Sequence, residues 1–273
     1  MKIAIIGGTS FIGQSLISSL KKKRLIATYN SNKILNDSKV KWKKLDFRNN
    51  KKNFFKYLDC PDIVINLAWA DIPQYNLKKH FKTFFYQKRL NLNLINNGLK
   101  NLIILGTCYE YGKFKGRISE NAQEKPNTAY GRAKLLLLRT ILKLKRNKKF
   151  KLTWLRPFFI YGLNKKRETL FSLIKQLNDN KISKLNVSGD LVRDFVPVSF
   201  LCSTINRVIE LNKDLGIVNL CSGRGISIKN FIKKNLKFNK NLKKINMNAQ
   251  NPNSFEPEAF WGDNRKLKKI LSN

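Results

Sequence analysis

Tyr130 and Lys134 stand four residues apart in Thr128-Ala129-Tyr130-Gly131-Arg132-Ala133-Lys134. On a helix that spacing sets both side chains on one face, about one turn apart. An ammonium so placed stabilises a phenolate and draws the tyrosine pKa from about 10 toward neutrality. Such a tyrosine gives or takes a proton at an alcohol or a carbonyl. Taken alone, the pair equally fits a solvated helix face, so its meaning depends on the elements that place it.

Those elements alternate. Lys2 to Ile6 reads as a strand, followed by a glycine loop and a helix from Phe11 to about Lys22. Apolar runs at Leu25–Tyr29, Ile63–Ala68, Leu102–Leu105 and Leu152–Leu155 predict further strands, with a short one at Lys41–Leu45 leading into Asp46. Helices are expected over Phe81–Asn97 and from Tyr130 to about Lys145. Strands alternating with helices imply right-handed crossovers and an α/β fold with a doubly wound parallel sheet. After Pro157 the rhythm changes, with helices expected at Thr169–Asn178, Ile228–Leu236 and Asn264–Leu271. The expected organisation is residues 1–156 as a dinucleotide-binding domain and 157–273 mainly as a smaller C-terminal substrate-binding lobe. Residues 193–210 are expected to return to the first domain.

The loop Gly7-Gly8-Thr9-Ser10-Phe11-Ile12-Gly13 lies directly between the first strand and its helix. Its glycines allow a tight turn and close packing, and the helix N-terminus offers free N–H groups to a pyrophosphate. Ser10 replaces the more usual middle glycine and is small enough for the same approach. The second strand ends in Tyr29-Asn30-Ser31-Asn32-Lys33, with no acidic residue to bind an adenosine ribose. Asn30 and Lys33 suit a 2′-phosphate, which favours NADP, with NAD possible. Asp46, beside Phe47 after the third strand, is placed either to meet an adenine amino group or to serve as a loop carboxylate beside Arg48.

Composition sets the outer limits. A chain of 273 residues with 42% hydrophobic content can bury a large core. No apolar run approaches the roughly 20 residues needed to span a bilayer. Cys60, Cys108, Cys202 and Cys221 are scattered, so a reduced, cytoplasmic location is expected. His80 is the only histidine, which argues against a histidine zinc site, and no metal is expected. The formal charge of +38 suggests an anionic partner. Its clusters at 21–24, 143–151, 165–167 and 229–244 are nevertheless dispersed and lack interleaved aromatics. The reading adopted is genome bias toward lysine, with a non-catalytic nucleic-acid-binding protein as the lower-ranked alternative.

The motifs together resemble the extended short-chain dehydrogenase/reductases, the NAD(P)-dependent epimerase/dehydratase family that acts mostly on nucleotide sugars. The resemblance runs through the glycine loop, Asp46, Asn66-Leu67-Ala68-Trp69-Ala70, Thr107-Cys108-Tyr109-Glu110-Tyr111-Gly112, Tyr130 with Lys134, Arg156-Pro157-Phe158-Phe159, and Arg193-Asp194-Phe195-Val196. It implies a Rossmann-type fold and a nucleotide-diphosphate sugar as substrate. Thr107 would bind the reacting oxygen, Tyr130 would be the acid/base, and Lys134 would hold the nicotinamide ribose. Cofactor contacts are implied for Gly7, Thr9, Ser10, Phe11, Ile12, Gly13, Leu67, Ala68, Trp69 and Pro157. Substrate contacts are implied for Thr107, Cys108, Tyr109, Phe159 and Arg193. Arg193 would grip the diphosphate, or else form an ion pair with Asp194. Paired helices in this family often make a homodimer, so one is possible.

Departures narrow the chemistry. Where the dehydratases of the family carry Asp-Glu after the threonine, this chain has Cys108 and Tyr109, and Glu110 comes one position late. Elimination of water is therefore disfavoured. A 4-keto-sugar reductase is the first expectation, and a nucleotide-sugar 4-epimerase holding NAD is the alternative.

Overall fold

Strand β1 (Lys2–Ile6) is followed by β2 (Arg24–Tyr29), β3 (Val40–Lys44), β4 (Ile63–Asn66) and β5 (Asn101–Leu105). Lys151–Pro157 and Gly216–Leu220 complete one seven-stranded sheet, every neighbouring pair of which is parallel. The order across it is 216–220, 151–157, β5, β4, β1, β2, β3. The structure is a computed structural model describing residues 1–20, 24–30, 40–48, 53–163, 169–250 and 255–272.

Successive strand residues point to opposite faces, and the apolar runs serve two separate cores accordingly. Ile3, Ile5, Ile63, Ile65, Ile103 and Leu105 pack on one side with α1 (Phe11–Ser19) and the helix Val198–Leu211. Ala4, Ile6, Val64, Leu102 and Ile104 pack on the other with α2 (Phe54–Tyr57), α3 (Lys79–Asn96) and α4 (Ala129–Lys145). Burial on both faces explains why these strands read as unbroken apolar runs instead of alternating ones.

A third core lies apart, formed by Ile174, Leu177, Leu185, Phe231, Ile232 and Ile245. It belongs to the helices Leu170–Asn178 and Ile228–Asn235 and to the paired short strands Leu185–Asn186 and Ile245–Asn246. Gly216–Leu220, which the sequence reading left with the smaller lobe, joins the large sheet beside Lys151–Pro157. The physical reason is burial on both sides: Val218 and Leu220 enter one core, and Ile217 packs against the other. Helix α1 ends at Ser19, earlier than the expected Lys22, and residues 21–23 lie outside the described set. Among the described residues, no helix is long and apolar enough to cross a membrane.

Candidate active site

Chain crossovers change direction between β1 and β4, and the glycine loop sits there, at the carboxyl end of β1. That switch point is where doubly wound sheets open a crevice for ligands. Thr28 of β2 secures the loop, its Oγ1 accepting from the Gly7 N–H at 3.0 Å and its carbonyl from the Gly8 N–H at 2.9 Å. Ser10 caps α1 by accepting from the Gly13 N–H at 3.0 Å, and its own hydroxyl donates to the Gly7 carbonyl at 2.8 Å. A methyl group added at Gly13 would lie 2.3 Å from the Gly7 oxygen. The loop thus folds back onto the first turn of α1 closely enough to demand glycine, leaving a backbone cradle at a helix N-terminus. This arrangement fits a dinucleotide pyrophosphate.

The loop after β4 closes the other side. Its Leu67 N–H donates to the Ile6 carbonyl at 3.0 Å, and Gln87 Nε2 donates to the Ala68 carbonyl at 2.9 Å. Asn66, Gln87 and Asn91 form a buried amide network beneath it. Trp69 then projects toward α4.

Thr107 follows β5 directly and caps a turn of 3-10 helix over Cys108–Glu110. Glu110, one position from where elimination chemistry would need it, points inward. Its carboxylate accepts from the Thr107 N–H at 2.9 Å, from Trp154 Nε1 at 3.0 Å and from Arg156 Nε at 2.7 Å, and both charged side chains are fully buried. Arg156 also donates to Glu124 at 2.6 Å. Glu110 therefore fixes the turn that presents Thr107. Burial raises its pKa, and the Arg156 guanidinium opposes that rise.

Helix α4 brings Tyr130 against this turn. Thr128 caps the helix through the Gly131 N–H at 3.0 Å, and the Tyr130 N–H donates to the Tyr75 carbonyl at 2.9 Å. A methyl group at Gly131 would lie 2.4 Å from the Tyr109 carbonyl oxygen, so glycine after Tyr130 is what permits the approach. Thr107, on the turn against which α4 packs, acts on the Tyr130 phenol by lowering its pKa. The Tyr130 ring meets Trp69 at 5.9 Å, Tyr75 at 5.6 Å and His80 at 5.3 Å between centroids. One turn on, Lys134 Nζ donates to the Leu105 carbonyl at 2.5 Å and lies 4.2 Å from the Trp69 ring centroid.

The electrostatics differ from the sequence expectation. Burial pushes the Tyr130 phenol above its ordinary value, Tyr75 adds to the rise, and Thr107 opposes it. Lys134 does not offset this, because its ammonium is directed to the Leu105 carbonyl and sits 6.0 Å from the Tyr130 ring centroid. Burial pushes the Lys134 ammonium below its ordinary value, and Glu110 pulls the other way. Burial thus favours the uncharged form of each group.

The remaining candidates fall into two groups. Asp46 and Phe47 follow β3, four strand positions from β5. Asp46 is gripped by Arg48 through contacts of 2.7–3.0 Å, which holds its carboxyl below the usual value; this is the loop-carboxylate arrangement. Asn30 ends β2 and is exposed, and Lys33 lies outside the described residues. Pro157 ends its strand in the sheet, buried.

The second group adjoins Tyr130. The Tyr109 ring lies tilted against Tyr75 at 4.7 Å and edge-on to Phe159 at 6.4 Å between centroids, and its hydroxyl donates to Glu256 at 2.6 Å. Arg193, buried and 5.2 Å from the Phe159 ring centroid, donates to the other Glu256 oxygen at 2.7 Å. The alternative Arg193–Asp194 pair does not form. Asp194 instead accepts from the Ser222, Gly223 and Gly262 N–H groups at 2.7, 3.0 and 3.2 Å. Cys108 is buried as a neutral thiol, its pKa pushed up by desolvation. Sequence reasoning missed Tyr75, His80, Phe255 and Glu256 as neighbours of the site. Only the rarity of histidine and the acidic Glu256-Pro257-Glu258 in a basic chain marked any of them.

The glycine cradle stands at the switch point, with Thr107, Tyr130 and Lys134 drawn together beside it, an arrangement that fits a dinucleotide-linked acid/base site of the short-chain dehydrogenase/reductase type. The model of the NAD dependent epimerase/dehydratase family matches residues 3–221, and the chain belongs to that family. It is 25% identical over 272 residues to dTDP-6-deoxy-L-talose 4-dehydrogenase (NAD(+)) of Aggregatibacter actinomycetemcomitans, covering 96% of this chain and 99% of that protein. It is 23% identical over 281 residues to GDP-6-deoxy-D-talose 4-dehydrogenase of the same organism, covering 100% and 92%. Among solved structures it superposes on UDP-glucuronic acid 4-epimerase from Bacillus cereus, in complex with NAD, with a TM-score of 0.80 at 22% identity, covering 100% of this chain and 91% of that one. An NAD-dependent NDP-hexosamine 5,6-dehydratase of tunicamycin biosynthesis gives 0.85 at 18% identity, with the same coverage. At these identities the structural likeness is one of fold.

Proposed function

We propose that the chain is a nicotinamide-dependent oxidoreductase that reduces the 4-keto carbon of a nucleotide-diphosphate sugar. The observation that carries this reading is the Tyr130 phenol, buried where helix α4 packs closely on the turn that Thr107 caps, with burial favouring its neutral form. A carbonyl becoming an alcohol needs a proton donor at its oxygen, and a neutral phenol supplies one. Thr107 binds that oxygen and Tyr130 passes it the proton. Lys134 holds the nicotinamide ribose, and the Gly7–Gly13 loop holds the pyrophosphate. A nicotinamide bound in this way supplies the hydride. A sugar diphosphate would compete with Glu256 for the Arg193 guanidinium.

Elimination of water finds no free carboxylate after Thr107, because Glu110 is buried against Arg156. The two talose relatives, named for dehydrogenation at position 4, support C4 as the reacting carbon. For the cofactor, the absence of an acid in Tyr29-Asn30 supports NADP, whereas the first relative is named for NAD(+). The ratio of kcat/KM for the two reduced cofactors decides between them. The functional test is incubation with dTDP- or GDP-linked 4-keto-6-deoxyhexose and reduced nicotinamide, followed by loss of nicotinamide absorbance. Stoichiometric oxidation with formation of the 4-hydroxy sugar is expected. Interconversion of C4 epimers without net oxidation would replace the reductase reading with an epimerase.

A further inference from the structure

Buried cations need partners, and Lys134 has an unusual one. Its relative exposure is 4%, its ammonium donates, among the described residues, to the Leu105 carbonyl, and the face of Trp69 lies 4.2 Å away. Trp69 is itself held. Its indole N–H donates to His80 Nδ1 at 3.2 Å, so the imidazole proton resides on Nε2 and donates to the Gln74 carbonyl at 2.9 Å. His80 is fully buried, and its ring packs 5.3 Å from that of Tyr130. The chain from the Gln74 carbonyl through His80 and Trp69 thus ends on the ammonium and, edge-on, on the Tyr130 ring.

We propose that Trp69, oriented by His80, is a positioning residue that keeps Lys134 charged and in place by a cation–π contact. An aromatic face stabilises a desolvated ammonium because the ring quadrupole is negative there. Without that face, one carbonyl and the more distant Glu110 carboxylate remain to oppose desolvation. The titratable groups around Lys134 are Glu110 from the turn after β5, Tyr130 from α4 itself, and, beyond Tyr130, Cys108 and Tyr75. Of the surrounding groups, His80 acts only through Trp69. The sole histidine of the chain is thereby explained without acid/base chemistry of its own.

This proposal rests on Lys134 acting as an ammonium in the proposed function, and its test needs no turnover. Lysine is labelled at Cε, and the Lys134 resonance is identified by its disappearance in Lys134→Met. Its titration is then followed by NMR in the ligand-free wild type, Trp69→Phe, Trp69→Leu and His80→Leu. The Lys134 pKa should fall by about one unit in Trp69→Leu, by less in Trp69→Phe, and by an intermediate amount in His80→Leu. In pH–rate profiles the alkaline limb should move to lower pH in the same order. Thermal unfolding reports whether each variant folds; if Trp69→Leu does not, Trp69→Phe carries the comparison. A Lys134 titration unchanged in the folded variants overturns the proposal. A shifted titration in a protein that never turns over nucleotide sugars keeps the contact and rejects the reaction assigned to the site.

Discussion

Replacing Glu110 by Gln tests whether this carboxylate belongs to the scaffold or to the chemistry. Its two oxygens accept from Thr107 N–H, Trp154 Nε1 and Arg156 Nε, and it has no exposed surface. The amide has one acceptor oxygen in place of two, so at least one buried donor loses its partner, and its NH2 group faces the Arg156 guanidinium. Among the described residues Arg156 then keeps Glu124 as its counter-charge, on a side chain that is 24% exposed. Breaking one side of a buried ion pair costs about 3–5 kcal/mol. With roughly 2–4 °C per kcal/mol for a chain of this size, the melting temperature should fall by about 10 °C. The assay is urea and thermal unfolding alongside kcat corrected for the folded fraction. The corrected kcat should change far less than the stability does. Glu110→Leu with Arg156→Met should recover much of the loss, because apolar replacement of a whole buried pair is close to neutral or better. A stable but inactive Glu110→Gln enzyme would refute the reasoning and return Glu110 to the catalytic machinery. So would a stability loss below about 1 kcal/mol.

Tyr130→Phe should lower kcat by about 10²–10⁴ with nucleotide-sugar binding nearly unchanged, measured by steady-state kinetics and calorimetry. Lys134→Met should abolish activity yet raise stability in neutral solution, as apolar replacements of buried charges often do. Here the folded-state pKa of an amine is depressed, so the folded protein is penalised wherever the lysine is charged in both states. The penalty is complete below the folded pKa and fades as pH rises toward the unfolded value; unfolding measured across that range should show the variant's advantage shrinking. Glu256→Gln should release the Arg193 guanidinium and tighten UDP or GDP binding several-fold in titration calorimetry, whereas weaker binding would mean that Glu256 holds Arg193 in its working position. Gly13→Ala should cost about 1–3 kcal/mol and abolish dinucleotide binding, because its methyl group meets the Gly7 carbonyl oxygen.

Strands β1, β2, β4 and β5 were legible because each is buried on both faces and so reads as an apolar run ended by a turn; β3, Val-Lys-Trp-Lys-Lys, is only partly buried. The placement of Gly216–Leu220 was not legible. Its Gly-Ile-Val-Asn-Leu carries the same signal as a strand of the small lobe would, and only pairing with Thr153–Pro157 distinguishes the two. Periodicity reports that a strand is covered; it does not name the neighbour.

The site shows a similar division. Residues tied to a local backbone feature could be found from sequence: the glycines of the loop, Thr107 at the end of a strand, and Tyr130 and Lys134 on one helix. Their electrostatic state could not. Tyrosine beside lysine on a helix suggests a lowered phenol pKa, but here both groups are desolvated and the ammonium is turned toward Leu105 and Trp69. Burial depends on Tyr75, His80 and Trp69, contributed by the segment between β4 and the start of α3. Glu256 reaches Tyr109 and Arg193 from far along the chain, 147 and 63 residues away in sequence. A motif fixes which atoms can react, whereas the charge each carries is set by neighbours that share no spacing rule with it. In this chain that neighbourhood desolvates the Tyr130–Lys134 pair, raising the phenol pKa, lowering that of the lysine and turning its Nζ toward Leu105 and Trp69 instead of the phenol.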